Sequence, residues 1–132
     1  MTTLHVRIAT PRGLYREMDT EILNIQTIGG DRGILPHHMP LVTILRIGKL
    51  AVVKDGKREE YAIAGGLLYF RENTAEILTD AIEHEDEIDT ARAVSARDRA
   101  LKRIESHASN IDLKRAEVAL KKAQNRLAIA SK

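Results

Sequence analysis

An acidic and a basic residue stand three positions apart in the run Ile88-Asp89-Thr90-Ala91-Arg92-Ala93, at the start of a helical pattern. Residues three apart share one helix face, and Arg99 and Arg103 continue that face over the next turns. A carboxylate beside convergent guanidiniums suits a nucleotide, with Asp89 toward the base and the arginines on the phosphates. The sequence leaves an alternative open, in which Asp89 is a helix-start acid and Arg92 its local partner.

Two other motifs superficially resemble ligand-binding sites. Gly29-Gly30-Asp31-Arg32-Gly33 lacks the Gly-Lys-Ser/Thr ending of a phosphate loop and precedes no helical pattern, so it predicts a β-turn. His37-His38 lies in a loop bounded by prolines without further ligands nearby, which favours a surface contact loop over a metal site. No Ser/His/Asp or Cys/His arrangement is evident, and we expect no enzymatic activity.

The charge of the chain is strongly asymmetric along its length. From Thr90 onward eleven Lys and Arg residues face four acids, whereas the preceding 89 residues hold ten bases and fifteen acids. Such asymmetry predicts an acidic partner for the tail. Nucleic acid is one alternative, but the tail has no aromatic residue on which bases could stack. Docking on an acidic protein segment is the sharper hypothesis, and we expect no nucleic-acid partner.

The elements that position these residues fall into two parts. Residues 3–80 contain short runs of alternating apolar and polar residues, punctuated by Gly and Pro. Asp55-Gly56 between two apolar runs is a strong hairpin signal, and Gly65-Gly66 indicates a further break. Residues 1–84 are therefore predicted to form a β-sandwich or flattened barrel with its own core.

Residues 85–132 are predicted to form an antiparallel two-helix hairpin. The first helix is expected from about Ile88 to Ser106, and Ser109 with Asp112 has capping-box spacing for the second. The second helix presents a narrow apolar seam: Leu113, Ala116, Leu120, Ala123, Leu127 and Ala130. Short helices packed through alanine bury little surface, so the hairpin needs a dock and could exchange one dock for another.

Bulk features restrict the cellular setting. The 132 residues include no cysteine, which excludes disulfides and fits the cytosol. We read no signal peptide at the N-terminus, and the apolar runs are far shorter than the roughly 20 residues of a membrane helix. We therefore expect a soluble protein without direct membrane insertion.

Taken in order, several motifs make the chain similar over essentially its whole length to the epsilon subunits of bacterial F-type rotary ATP synthases, especially the Bacillus-like branch. Each motif is weak alone, and the order is what is specific. They are His5-Val6 through Thr10-Pro11, Gly33 through Val42, Ala64-Gly65-Gly66, Ile88 through Ala93, Ile111 through Glu117 and Asn125-Arg126-Leu127.

The resemblance implies a sandwich of about ten strands that binds the gamma subunit and the membrane rotor ring, at the cytoplasmic face of the bacterial cell membrane. It implies that the hairpin is either folded on the sandwich or extended along gamma. When extended, its bases would meet an acidic segment of the beta subunit and inhibit ATP hydrolysis. ATP, with or without magnesium, would act as a regulatory ligand that favours the folded state. A purely structural epsilon subunit without a nucleotide site remains the alternative.

The resemblance also implies roles for individual residues. Asp89 and Arg92 match the family's nucleotide motif, with Arg99 and Arg126 as further contacts. Lys122 completes the expected ATP-binding set, where those relatives typically carry Arg. Asp31 and His38 match the rotor-ring contact. The expected inhibitory contacts with the beta subunit are Arg103, Lys114, Arg115 and Lys121.

Overall fold

The computed structural model describes residues 2–107 and 112–130. The strands are β1 (Leu4–Thr10), β2 (Gly13–Thr20), β3 (Ile22–Thr27), β4 (Gly30–Ile34), β5 (Leu41–Lys54), β6 (Lys57–Arg71), β7 (Thr74–Leu78) and β8 (Ile82–His84). A short 3₁₀ helix, Glu85–Glu87, leads into helices α1 (Thr90–Ser106) and α2 (Leu113–Ala130). The predicted fold class, a β-sandwich followed by two helices, is confirmed.

The sheet runs in the order β2-β1-β7-β6-β5-β3-β4, with β8 paired to β6. All pairs are antiparallel except β1 with β7. Ile8 of β1 and Ile34 of β4 lie far apart in this order, yet both belong to one buried core cluster. The sheet must therefore fold over on itself, and the core lies between its two layers.

The structure has about eight strands rather than the predicted ten, because each of two long strands takes the place of two shorter ones. β5 and β6 run through 14 and 15 residues, and β6 pairs with β8 near one end and with β7 near the other. Gly65-Gly66 bends β6 instead of ending it. Both glycines have positive φ (80° and 132°), and a Cβ at Gly66 would collide with the Leu78 carbonyl oxygen.

The two helices lie against each other, and α2 in turn contacts β5 and β6. α1 begins at Thr90, two residues later than predicted, because Asp89 is its N-cap. Asp112 accepts a hydrogen bond from the Arg115 amide at 3.1 Å and so caps the start of α2. Ser109, the other half of the predicted capping box, lies outside the described residues.

The predicted seam of α2 is only partly buried. Ala116 and Ala123 are buried, whereas Leu113 is 52% exposed. The buried residues of the described hairpin are four alanines and one isoleucine: Ala93, Ala100, Ala116, Ala123 and Ile129. The apolar interior of the hairpin is as thin as the sequence predicted.

Candidate functional site

Asp89 occupies the position from which it can both cap α1 and face a ligand. Its Oδ1 accepts a hydrogen bond from the Arg92 amide at 3.1 Å, which fixes the carboxylate at the first turn of the helix. Asp89, Arg92 and Arg99 then line one open hollow along α1, together with Asp98 and Lys102. Both arginines are exposed. The helix thus presents a carboxylate and two guanidiniums on one surface, whereas Arg103, which the spacing placed on the same face, does not line the hollow.

Lys122 and Arg126 line a different hollow, where α2 meets the sandwich. This cavity has a volume of about 150 Å³, and its other walls include Ala62, Ile82 and Glu83. The Arg126 Nε lies 2.7 Å from the Glu83 Oε1, in a contact that is ionic rather than an aligned hydrogen bond. The five predicted ATP-binding residues therefore divide between two hollows, three on α1 and two under α2.

Glu83 and Asn125 are the residues of this region that the sequence did not single out. Asn125 Nδ2 donates a hydrogen bond to the Gly48 carbonyl oxygen at 2.8 Å, and with the Glu83–Arg126 pair it ties α2 to the sandwich. Glu83 opens a run of acids, with Glu85, Asp86 and Glu87, just before the first helix. Its partner lies 43 positions away, so no local spacing could reveal it.

The four predicted inhibitory residues are all exposed on the hairpin. Arg103 lies near the end of α1, whereas Lys114, Arg115 and Lys121 lie on α2. Within residues 2–107 and 112–130, none of these four side chains forms an ion pair. A partner could therefore bind these charges without breaking an ion pair between described residues.

The two predicted rotor-ring residues lie on β4 and in the loop after it. Asp31 accepts a hydrogen bond from Arg46 Nη2 at 3.1 Å. The His38 ring stands edge-on to Phe70, with ring centroids 6.0 Å apart, and its Nδ1 lies 2.7 Å from the Met39 carbonyl oxygen. The buried Phe70 thus orients His38, whereas Asp31 remains on an exposed strand.

An exposed apolar face on the sandwich escaped the sequence analysis. Val42 pairs with Tyr69, and Ile44 pairs with Leu67, which pairs in turn with Leu78, so the five side chains share one face of β5, β6 and β7. All five are between 42% and 64% exposed. A contiguous apolar face of this kind is typical of a protein-binding surface. Leu67-Leu68-Tyr69-Phe70 is an unbroken apolar run in the sequence, so the pattern could not show which side chains face outward.

In the described part of the chain, no helix has the length and apolarity needed to cross a membrane. No group of three or more His, Asp or Glu side chains there could hold a metal ion. The fold and the charged residues described above define the class of protein: a β-sandwich followed by a cationic helical hairpin.

Two family models together match nearly the whole chain. The β-sandwich domain of the ATP synthase delta/epsilon chain matches residues 3–85, and the long α-helix domain of the same chain matches residues 86–131. The protein therefore belongs to the ATP synthase delta/epsilon chain family, as an epsilon subunit of the F-type enzyme.

Relatives agree with this assignment, and solved structures agree with the fold. The ATP synthase epsilon chain of Halalkalibacterium halodurans is 41% identical over 133 residues, covering 100% of both chains. That of Bacillus velezensis is 41% identical over 130 residues, covering 98% of both. The fold matches a chain in a structure of the Euglena gracilis mitochondrial ATP synthase (OSCP/F1/c-ring), with a TM-score of 0.83 and 22% identity over 97% of this chain and 81% of that one. A chain of the central stalk/c-ring of the Tetrahymena thermophila mitochondrial enzyme matches with a TM-score of 0.55 and 18% identity, over 96% and 92%.

Proposed function

We propose that this chain is a non-catalytic rotor subunit that couples the catalytic sector to the membrane rotor at the cytoplasmic face of the membrane. In this proposal its helical hairpin restrains ATP hydrolysis when it leaves the sandwich. The observation that carries the proposal is the weak attachment of the hairpin. Among the described residues, Asn125 donates a hydrogen bond to Gly48 and Arg126 pairs with Glu83, and the buried side chains of α2 are two alanines and one isoleucine.

The free energies contributed by the buried side chains favour a hairpin that can exchange one docking surface for another. A buried methyl contributes about 0.8 kcal/mol, whereas a buried Leu, Ile or Phe side chain contributes about 1.5–3 kcal/mol. Four buried alanines and one isoleucine therefore supply far less than the core of the sandwich, which contains Phe70, Tyr61 and eleven Leu or Ile residues. The difference between docked and undocked states is then small enough for a ligand or a partner to reverse it.

ATP, with or without magnesium, is proposed to favour the docked hairpin. Its phosphates would bind Lys122 and Arg126, and Asp89, Arg92 and Arg99 would complete the site from α1. Arg126 already binds the Glu83 carboxylate. A phosphate would compete with Glu83 for this guanidinium and offer it two oxygens instead of one. Binding to only one of two states shifts the balance toward that state.

The undocked hairpin is proposed to meet an acidic segment of the beta subunit. The exposed charges of Arg103, Lys114, Arg115 and Lys121 supply the attraction. The sandwich would remain attached to the rotor in either state. Its exposed apolar face, which includes Tyr69, would contact the gamma subunit, and Asp31 and His38 would contact the ring of c subunits.

The decisive experiment is calorimetric titration of the isolated chain with ATP. We expect saturable binding without hydrolysis, and a stabilisation of the docked state of about 2.7 kcal/mol at a hundredfold excess over Kd. Asp89→Ala and Arg92→Ala should each weaken binding. Arg97→Ala is the matched control, because Arg97 lies on the same helix but its Nε contacts Asp98 at 3.2 Å. Absence of saturable heat at millimolar ATP would exclude the nucleotide site and favour the purely structural epsilon subunit.

A further inference from the structure

The segment between the sandwich and the hairpin is tied down by its own acidic side chains. Glu85 Oε2 accepts a hydrogen bond from the Glu60 amide on β6 at 2.7 Å. Glu87 Oε1 accepts from the His84 amide at 2.8 Å and from the hydroxyl of Tyr15 on β2. The Tyr15–Glu87 contact joins residues 72 positions apart in the sequence. It is therefore a tertiary contact that anchors the root of the hairpin.

Aromatic rings hold this contact in place from the sandwich side. Tyr61 is 1% exposed and stands edge-on to Tyr15 and to His84, with centroid distances of 6.3 and 5.0 Å. Arg16 Nη1 donates to the Tyr61 hydroxyl oxygen at 3.1 Å, and the guanidinium lies over both tyrosine rings. Asp86 donates its amide hydrogen to His84 Nδ1 at 3.1 Å. These contacts therefore hold the Tyr15 ring in an orientation that brings its hydroxyl to Glu87.

The protonation states favour the contact at neutral pH. Burial raises the pKa of the Tyr15 hydroxyl, which therefore stays a donor. The hydrogen bond from Tyr15 lowers the pKa of the Glu87 carboxyl, which therefore stays an acceptor. A hydrogen bond between a hydroxyl and a carboxylate is among the stronger side-chain contacts.

After Glu87 the connection between the two domains continues through two residues that belong to neither helix. Ile88 and Asp89 have extended backbones, with ψ of 119° and 101°, and α1 starts at Thr90. A hairpin that leaves the sandwich can therefore pivot at these two residues. If the segment 85–87 were released as well, the undocked hairpin would gain conformations, whereas the docked one would not. Anchoring this segment raises the effective concentration of α2 at its dock.

We infer that Tyr15 and Glu87 form a latch that confines the pivot to Ile88–Asp89 and holds the hairpin balance toward the docked state. This inference rests on the proposed exchange of the hairpin between docks. The latch deepens it by assigning regulation to a sandwich residue, Tyr15, that touches neither the nucleotide hollows nor the exposed bases. Loss of the Tyr15 hydroxyl should favour undocking without harming the fold.

The test measures the distance between sandwich and hairpin in the full chain without ATP. Because the chain has no cysteine, Lys57→Cys and Glu117→Cys give two unique labelling sites, one at the start of β6 and one on α2. Tyr15→Phe keeps the ring and removes the hydroxyl. We expect the ratio of undocked to docked molecules to rise roughly three- to tenfold, as for one partly exposed hydrogen bond to a charged group. Tyr69→Phe is the control, since it removes a hydroxyl from the exposed apolar face.

The outcomes separate the latch from the mobile hairpin. Asn125→Ala removes the hydrogen bond to Gly48 and should also raise the undocked population. If Asn125→Ala raises it while Tyr15→Phe leaves it unchanged at an unchanged melting temperature, the latch is wrong. If wild type, Tyr15→Phe and Asn125→Ala all show only the docked distance, the exchange of docks in the proposed function is itself wrong. An equal rise in Tyr69→Phe and Tyr15→Phe would also overturn the latch, because the effect would not be specific to Glu87.

Discussion

The sandwich and the hairpin are stabilised in different ways. The sandwich encloses a cluster of sixteen buried side chains, from Leu4 on β1 to Ile82 on β8, tied together by a continuous sheet. The hairpin buries mainly alanines and touches the sandwich through one helix. Rigid attachment to a rotor suits the first arrangement, and reversible docking suits the second. The difference in the size of the buried side chains therefore supports the proposed roles of the sandwich and the hairpin.

Removing a large buried side chain from each region gives the largest expected contrast. Phe70 is fully buried in the sandwich, so Phe70→Ala should lower the free energy of unfolding by about 3–5 kcal/mol. Leu127, half-buried on α2, should cost much less when changed to Ala, and the loss should fall on the hairpin. Hydrogen exchange of the β6 and α2 amides, residue by residue, measures both. Equal loss of β6 protection in the two variants would show that sandwich and hairpin unfold as one unit.

Substituting exposed bases of the hairpin should have an effect of intermediate size on ATP hydrolysis. Substituting an exposed base of the sandwich should have no such effect. Exposed ion pairs contribute below about 1 kcal/mol each, so one substitution relieves inhibition only partly. Arg103→Ala with Arg115→Ala should raise ATP hydrolysis by the reconstituted complex about two- to fivefold, more than either change alone. Removal of all residues after Glu87 should raise it furthest, and ATP synthesis should change less.

The control for this measurement is a charge change on the sandwich. Arg12→Ala removes an exposed base from the turn between β1 and β2, far from the hairpin in the sequence. Complexes of equal epsilon content should hydrolyse ATP at the wild-type rate with this variant. The same rate for wild type, the double variant and the truncated chain would remove the hairpin from regulation.

The sequence predicted what depends on local pattern. The Asp55-Gly56 turn joins β5 and β6, and Asp89 begins a helix with Arg92 on its first turn. The helical period also predicted the buried Ala116 and Ala123, although it did not predict that Ile129 would be buried and Leu113 exposed. Exposed bases on the hairpin follow from the same period.

The structural features that the sequence could not predict depend on contacts between distant segments. Gly65-Gly66 was predicted to break a strand, but pairing with β5 on one side and β7 or β8 on the other carries β6 through it. The Glu83–Arg126 pair and the Tyr15–Glu87 contact join residues 43 and 72 positions apart. Local propensity has no access to such pairs, and they are what attach the hairpin to the sandwich.

The smallest expected effect is a pH dependence of folding stability that is confined to the sandwich. His5 on β1 lies between two carboxylates of β2, with Nε2 2.9 Å from Glu17 and Nδ1 2.9 Å from Asp19. The hydrogen bond to Glu17 is the main cause that raises the pKa of His5 above its ordinary value of 6.5. A raised pKa means that the folded state binds the proton more tightly than the unfolded state. The resulting stability is fully present below about pH 6.5 and is lost as the pH rises through the folded pKa.

Because the side chain of His5 is 39% exposed, solvent screening should keep this contribution below about 1 kcal/mol. The wild-type melting temperature should therefore fall slightly between pH 6 and pH 8.5, and His5→Gln should flatten that fall. The docked fraction of the labelled hairpin should not follow the same curve, since His5 lies on the β1–β2 pair and α2 contacts β5 and β6. Arg7→Gln tests specificity, because Arg7 also contacts Glu17, at 3.3 Å, but through a guanidinium rather than an imidazole. If His5→Gln and wild type lose the same stability over this interval, the imidazole does not set the pH response. If the docked fraction changes together with the sandwich melting temperature, the two regions are coupled more tightly than their contacts imply.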